Sequence, residues 1–122
     1  MTIRVAIADD HSLVRQGLRR YLDMADGIEV VGEASNGKEL LELIGNENPD
    51  IALIDIRMPE IDGLALLRLI RGSGNEVPTV FMTASGDIQT IVGAMREGAI
   101  DLLPKPFTVE QLMRRVREIL DA

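Results

Sequence analysis

The 122-residue chain has no cysteine and no tryptophan, and it has a single histidine. The lack of cysteine excludes disulfide bonds, thiolate metal sites and a cysteine nucleophile. One histidine, His11, is too few for a multi-histidine zinc site, so a divalent metal ion would be held mainly by oxygen atoms. Aromatic residues make up only 2% of the chain, which argues against a pocket that stacks flavin or nucleobase rings.

Positive charge is also scarce, with 13 lysine and arginine residues against 20 acidic ones and a net charge of −7. Surfaces that bind nucleic acids need an excess of positive charge, so we expect this domain not to contact DNA or RNA directly. No apolar run reaches the length of a membrane span, and the first residues do not resemble a secretory signal. The sequence therefore predicts a single cytoplasmic domain with no membrane association.

Five short apolar runs alternate with amphipathic segments along the chain. The runs are rich in valine and isoleucine and too short for helices, so we interpret them as strands at residues 3–8, 28–31, 51–54, 79–82 and 100–103. The amphipathic segments predict helices at residues 12–24, 36–46, 63–71, 87–97 and 108–120. This alternation predicts an α/β fold with a doubly wound parallel five-stranded sheet in the strand order 2-1-3-4-5.

Polar residues stand at the points where the predicted strands end. Asp9 and Asp10 follow the first strand, Asp55 follows the third, Thr83 the fourth and Lys105 the fifth. The carboxyl ends of parallel strands meet at one edge of the sheet, where α/β proteins bind their ligands. The first and third strands are neighbours in the predicted order. We therefore expect the three carboxylates to converge, with Thr83 and Lys105 beside them.

Three carboxylates in one pocket repel one another unless a positive charge neutralises them. Mg²⁺ suits a site with few carboxylates, because it keeps several water ligands and accepts a phosphate oxygen as a further one. A carboxylate beside Mg²⁺ and an ammonium group can attack a phosphoryl donor to give an aspartyl phosphate. We predict Asp55 as the nucleophile and the Asp9–Asp10 pair as the metal-holding unit. Thr83 and Lys105 would contact the phosphoryl oxygens.

These residues, in this order and at these spacings, resemble the receiver domain of two-component response regulators over essentially the whole chain. The matching residues are Asp9-Asp10, Asp55 with Met58-Pro59, Asp62-Gly63, Thr83-Ala84, Gly98-Ala99 and Lys105-Pro106-Phe107. The resemblance implies a flavodoxin-like (βα)₅ fold and Mg²⁺-dependent phosphotransfer from a sensor histidine kinase. It also implies that Asp10 and Asp55 bind the metal directly, that Asp9 acts mostly through water, and that Arg57 contributes its backbone carbonyl.

Residues 14–18 and 30–34 are similar to the NarL/FixJ (LuxR-type) subfamily of transcriptional regulators, in which a helix-turn-helix output domain follows the receiver. We expect residues 1–122 to be a receiver domain cut before such an output domain, and a stand-alone receiver is the alternative. The expected partners are the kinase, an output domain or protein target, and a second copy of the chain after phosphorylation. The domain would catalyse only its own phosphorylation and dephosphorylation.

One position departs from the family pattern. Three residues before Lys105 the family usually has tyrosine or phenylalanine, whose rotation reports phosphorylation, and this chain has Leu102. Leucine has no polar-tipped ring to move between solvent and interior, so we predict a muted or differently routed conformational response. His11 follows the acid pair, and we interpret it as a solvated loop residue.

Three other classes of protein fit the sequence less well. A phosphatase of the haloacid dehalogenase type would place a second acid two residues after its nucleophile, where this chain has Arg57. A pseudo-receiver that works without phosphorylation would not need the full set of predicted site residues. A dinucleotide-binding domain would carry a glycine-rich G-x-G-x-x-G turn after the first strand, and this chain has none.

Overall fold

The computed structural model describes residues 2–55, 58, 63–83, 93, 95–96, 101–104 and 107–121. The strands are β1 (Ile3–Ala8), β2 (Ile28–Ala34), β3 (Ile51–Asp55), β4 (Thr79–Thr83) and β5 (Asp101–Pro104). The described helices, in chain order, are α1 (Ser12–Asp23), α2 (Gly37–Glu47), α3 (Gly63–Gly72) and α4 (Val109–Asp121). The helix predicted at residues 87–97 lies outside the described residues, apart from positions 93, 95 and 96.

The strands form one sheet in the order β2-β1-β3-β4-β5, which is the predicted order. All neighbouring strands are parallel. β1 lies between β2 and β3, and Ala8 at its end is paired with Ile54. Asp9, which follows β1, and Asp55, the last residue of β3, therefore lie side by side at the carboxyl edge of the sheet.

The sheet is covered on both faces, as a doubly wound fold requires. All five residues of β3 are buried, which agrees with its nearly continuous apolar sequence. Successive side chains of a strand point to opposite faces. Accordingly, Ala52 packs in the cluster that contains Leu40 of α2 and Leu66 of α3. Leu53 packs in the opposite cluster with residues of α1 and α4.

The sequence pattern of a capping residue followed three positions later by Glu or Gln occurs at the starts of α2 and α4, and both caps form in the structure. At α4 the Thr108 hydroxyl accepts the Gln111 N–H at 3.1 Å, and the Gln111 side chain accepts the Thr108 N–H at 2.9 Å. These two bonds are the reciprocal pair of a capping box. At α2 the Asn36 side chain accepts the Glu39 N–H at 2.9 Å. Glu39, however, reaches back one residue further and accepts the Ser35 N–H at 2.8 Å.

Four of the strands have boundaries that differ from the prediction, and β3 and β4 each end one residue later, at Asp55 and Thr83. The structure extends β2 to Ala34, three residues beyond the predicted end, because Gly32 and Glu33 interrupt the apolar pattern but continue the pairing with β1. β5 runs one residue later than predicted at both ends. Within the described residues, none of the helices has both the length and the apolar character needed to cross a lipid bilayer.

Candidate functional site at the carboxyl edge of the sheet

Three predicted aspartates come together beyond the ends of β1 and β3. Asp9 follows β1 and is fully buried, Asp55 is the last residue of β3 and is also buried, and Asp10 is partly buried. One carboxylate oxygen from each of them and one ring nitrogen of His11 all lie within 4.8 Å of one another. This group is called the acidic pocket below, and it contains Asp9, Asp10, His11 and Asp55.

One carboxylate oxygen of the acidic pocket accepts no hydrogen bond from the described residues. Asp10 Oδ1 is buried and accepts no hydrogen bond from any residue that the structure describes. His11 Nδ1 lies 3.2 Å from it and 3.6 Å from Asp9 Oδ1. A buried anionic oxygen without hydrogen bonds costs free energy, and nearby like charges add to that cost. The arrangement is therefore complementary to a cation.

The donor atoms of the pocket fit the magnesium ion that the family implies. The three aspartates offer carboxylate oxygens, which are the hard ligands that Mg²⁺ prefers. A quarter of the Asp10 side chain is accessible to solvent. Mg²⁺ keeps several water molecules in its coordination sphere, so an open site with few protein ligands suits it.

Asp9, the first aspartate of the pair, is held in place by hydrogen bonds of its backbone and of its carboxylate. The Asp9 N–H donates to the carbonyl oxygen of Ala34 at 3.0 Å, which extends the pairing of β1 with β2 by one residue. The Asp9 carbonyl accepts a hydrogen bond from a guanidinium nitrogen of Arg15, in the second turn of α1. The Asp9 carboxylate accepts the His11 N–H at 2.9 Å. The turn that carries the acid pair is thus tied to β2, to α1 and to itself.

A network of charged side chains continues from Arg15 along α1. Arg15 Nε donates to Glu33 Oε1 at 3.1 Å, and Arg19 Nη1 donates to Glu33 Oε2 at 2.7 Å. Arg19 also lies 3.8 Å from the Asp23 carboxylate one helical turn later. The hydrogen bond to Glu33 raises the pKa of Arg19 above its ordinary value. Glu33, on β2, therefore joins two arginines of α1 beside the acidic pocket.

Sequence reasoning missed Arg15 and Glu33 as parts of the site. The sequence does place Arg15 and Arg19 one helical turn apart, and this spacing puts both on one face of α1. A long-range partner such as Glu33 depends on how α1 sits on the sheet, which the residue pattern does not reveal. His11 was expected to be solvated, and its side chain is 68% exposed. Its ring nitrogen nevertheless faces the carboxylates of the acidic pocket.

The remaining predicted site residues fall into two groups. Thr83 is described: it is buried at the end of β4, one residue beyond the Met82 that pairs with Asp55. It lies at the same edge of the sheet as the acidic pocket, as predicted. Arg57 and Lys105 lie outside the described residues, and their roles stay predictions. Leu102 belongs to β5, and its backbone pairs with Phe81.

Comparison with known proteins identifies the family. Residues 5–117 match the family described as the response regulator receiver domain. The chain is 38% identical over 120 residues to the response regulator MprA of Mycobacterium tuberculosis, an alignment that covers 98% of this chain and 51% of the relative. The chain belongs to the response regulator receiver domain family. It spans about half the length of the curated relatives that it matches.

Solved structures agree with this assignment. The signal receiver domain of the putative response regulator NarL from Mycobacterium tuberculosis has a TM-score of 0.92 and 32% identity, and the match covers 99% of this chain and 98% of that one. A LuxR-family two-component response regulator from Aurantimonas sp. SI85-9A1 also has a TM-score of 0.92, at 28% identity, with coverage of 99% and 86%. These neighbours are consistent with the predicted NarL/FixJ-like subfamily.

Proposed function

We propose that the chain is a phosphoacceptor whose Asp55 takes a phosphoryl group from the phosphohistidine of a sensor kinase in a Mg²⁺-dependent reaction. The observation that carries the proposal is the convergence of three carboxylates at the ends of β1 and β3, one of them with a buried oxygen that accepts no hydrogen bond from the described residues. Membership of the receiver family supports the same reaction.

The reaction makes one bond and breaks one bond at phosphorus. An oxygen of the Asp55 carboxylate attacks the phosphorus atom, and a mixed anhydride of carboxylate and phosphate forms. The phosphorus–nitrogen bond of the phosphohistidine breaks, and its electron pair leaves with the imidazole nitrogen. When bound, Mg²⁺ supplies positive charge that offsets the charge on the phosphoryl oxygens.

Each predicted site residue has a proposed role in this reaction. Asp10 and Asp55 would bind the metal directly, Asp9 would act mostly through water, and the backbone carbonyl of Arg57 would be a further ligand. Thr83 and Lys105 contact the incoming phosphoryl oxygens. The burial of Thr83 at the end of β4 supports its part, because a hydroxyl there lies at the edge where the phosphoryl group would arrive.

The phosphorylated form is proposed to act through a changed surface rather than through enzymatic turnover. A phosphoryl group adds negative charge and hydrogen-bond acceptors beside Thr83, and these bias the domain between two packings. The complete (βα)₅ fold, including the helix predicted at residues 87–97, would carry that change to a partner. We propose an output domain that controls transcription as the target, with homodimerisation on phosphorylation. The cytoplasmic location stays a prediction.

Acetyl phosphate provides a direct test of the phosphoacceptor function. In the presence of MgCl₂ the intact mass of the chain should increase by one phosphoryl group, and excess EDTA should prevent the increase. Absence of modification under both conditions would favour a pseudo-receiver. Continuous release of phosphate from a small phosphate ester at ordinary enzyme rates would instead favour a phosphatase.

The response at Leu102 can be followed with beryllofluoride, a mimic of the phosphoryl group. We expect backbone chemical shifts to change around Thr83 and to change less around Leu102 and the helix that follows it. Large shifts throughout β5 (Asp101–Pro104) and α4 (Val109–Asp121) would show that the response travels this way without an aromatic ring.

A further inference from the structure

We propose that Arg15 and Glu33 are positioning residues, which fix the turn of the acid pair and thereby set the affinity of the acidic pocket for Mg²⁺. This inference rests on the proposed function, because it concerns the same pocket. Neither residue contributes an atom to the pocket itself, whose members within the described chain are Asp9, Asp10, His11 and Asp55.

The contacts of Asp9 form a closed ring with β2 and α1. On one side the Asp9 N–H donates directly to the Ala34 carbonyl at 3.0 Å. On the other side the Asp9 carbonyl accepts from Arg15 Nη1, and Arg15 Nε donates to Glu33 at 3.1 Å. Glu33 immediately precedes Ala34 in β2. The Asp9 N–H is therefore bound directly to Ala34, and the Asp9 carbonyl is linked through Arg15 to Glu33, the preceding residue of the same strand.

The chemistry of arginine matches this arrangement. A guanidinium group presents several N–H donors in a rigid plane, so one side chain can bind a carboxylate and a carbonyl at once. Only 15% of the Arg15 side chain and 22% of the Glu33 side chain are exposed, and solvent screens the pair less than a surface ion pair. Glu33 is held in turn by Arg19, whose Nη1 lies 2.7 Å from its second oxygen. The two arginines bind different oxygens of Glu33, so loss of Arg19 should leave the contact of Arg15 with Glu33 in place.

A positioning role and a purely electrostatic role of Arg15 predict opposite changes in Mg²⁺ affinity when Arg15 is replaced. A positive charge beside a cation site repels the cation, so removing that charge should tighten Mg²⁺ binding if charge alone matters. If Arg15 instead holds the turn in the geometry that binds Mg²⁺, its removal should weaken binding. The sign of the change therefore separates the two explanations.

The experiment compares Arg15→Met with Arg19→Met in the 122-residue chain. Each substitution removes one positive charge and one contact with Glu33. Of the two arginines, Arg15 donates to the Asp9 carbonyl, and Arg19 lies near Asp23 instead. Mg²⁺ affinity would be measured by titration with MgCl₂, with the amide resonances of Asp9 and Asp10 as reporters. Melting temperature would be recorded in parallel as a measure of structural damage.

We expect Arg15→Met to bind Mg²⁺ about tenfold more weakly than the unmodified chain, since residues that orient metal ligands have effects of that size. Arg19→Met should bind Mg²⁺ as well as the unmodified chain or slightly more tightly. Arg15→Met should lose at least as much thermal stability as Arg19→Met, because the Arg15 side chain is more buried and also binds the Asp9 carbonyl. Unchanged or tighter binding by a folded Arg15→Met variant would overturn the inference.

A second variant keeps the test decisive if Arg15→Met fails to fold. Arg15→Lys retains the charge, but a single ammonium group cannot span Glu33 and the Asp9 carbonyl as the guanidinium does. We expect weaker Mg²⁺ binding here too, and full affinity would overturn the inference. If the unmodified chain bound no Mg²⁺, the proposed function would fail together with the inference. Normal binding by the unmodified chain and by its Arg15 variants would overturn the inference alone.

Discussion

Strand β3 (Ile51–Asp55) has an aspartate at each end, and the two lie in opposite environments. Asp50, just before the strand, pairs with Arg4 of β1: its carboxylate accepts the Arg4 N–H at 2.8 Å, and its own N–H donates to the Arg4 carbonyl at 2.8 Å. Asp55, at the other end, lies among the carboxylates of the acidic pocket.

The amino edge of the sheet satisfies its charges internally. The Arg4 guanidinium donates to the backbone carbonyls of Glu47 and Asn48, and it lies 3.0 Å from the Glu47 carboxylate. These carbonyls belong to the end of α2, where helix carbonyls lack partners and the helix dipole is negative. The Arg4 guanidinium therefore occupies the end of α2, a position that favours a positive charge.

At the carboxyl edge the described residues bring three carboxylates together instead. Asp9 and Asp10 follow one strand, Asp55 ends its neighbour, and Asp10 Oδ1 accepts no hydrogen bond from the described residues. Like charges placed together in this way reduce stability unless a ligand neutralises them. The comparison teaches that one edge uses its charges to hold the fold, whereas the other gathers like charges that could bind a metal ion.

The largest effect that we predict among variants of the two edges is that of Asp10→Asn. Removal of a direct ligand should weaken Mg²⁺ binding by more than the ~10-fold expected for a residue that only orients a ligand. The same substitution should raise the free energy of unfolding in EDTA by on the order of 1 kcal/mol, because it removes a repulsive charge. Urea unfolding in EDTA and titration with MgCl₂ would measure both changes. Lower stability in EDTA would show that the acid pair stabilises the fold.

At the opposite edge of the sheet, Arg4→Met should lower the stability of the fold. It removes the charge-assisted contacts to Glu47 and to the end of α2, so the free energy of unfolding should fall by about 1–2 kcal/mol. We place the loss at this level because a third of the Arg4 side chain is exposed to solvent. Mg²⁺ affinity should stay the same. A changed affinity with unchanged stability would contradict the division between the two edges.

Ser35→Ala should have the smallest effect, and it sharpens the comparison because Ser35 also lies at the carboxyl edge, after β2. The Ser35 hydroxyl and N–H donate to the Glu39 carboxylate and lower the pKa of Glu39 below its usual value. The folded pKa is then below the unfolded one. The stabilisation is present above the unfolded pKa and is lost as the pH falls through the folded pKa.

Unfolding measurements at two pH values test this prediction. Ser35→Ala should be slightly less stable than the unmodified chain at pH 7, and the difference should shrink at a pH below both pKa values of Glu39. Glu39→Gln serves as the control, because its stability should depend less on pH in this range. A difference that grows as the pH falls would reverse the assigned sign.

The sequence predicts contacts that are determined by the order of the strands. It does not predict contacts that depend on how helices pack on the sheet. Strand order alone brings Asp9 next to Asp55, so the convergence of the acids could be predicted. The contact of Arg15 with Glu33 requires a particular rotation of α1 on the sheet. No periodicity in the sequence encodes that rotation.

The end of strand β2 was also not predictable from local sequence, whereas the helix starts were. Apolar periodicity ended β2 at residue 31, whereas hydrogen bonding to β1 continues to Ala34 across a register shift between Val5 and Ala6. The pairing of strands, which is a tertiary property, decides where this strand ends. The capping residues Asn36 and Thr108 were predictable, because a helix start is determined by residues close together in the sequence.

The most direct test of the central claim uses the two aspartates that flank β3. Asp55→Asn and the matched control Asp50→Asn would each be incubated with MgCl₂ and acetyl phosphate, and their intact masses would be compared with that of the unmodified chain. We predict that the unmodified chain and Asp50→Asn gain one phosphoryl group and that Asp55→Asn gains none. An undiminished gain by Asp55→Asn would contradict the assignment of Asp55 as the phosphoacceptor.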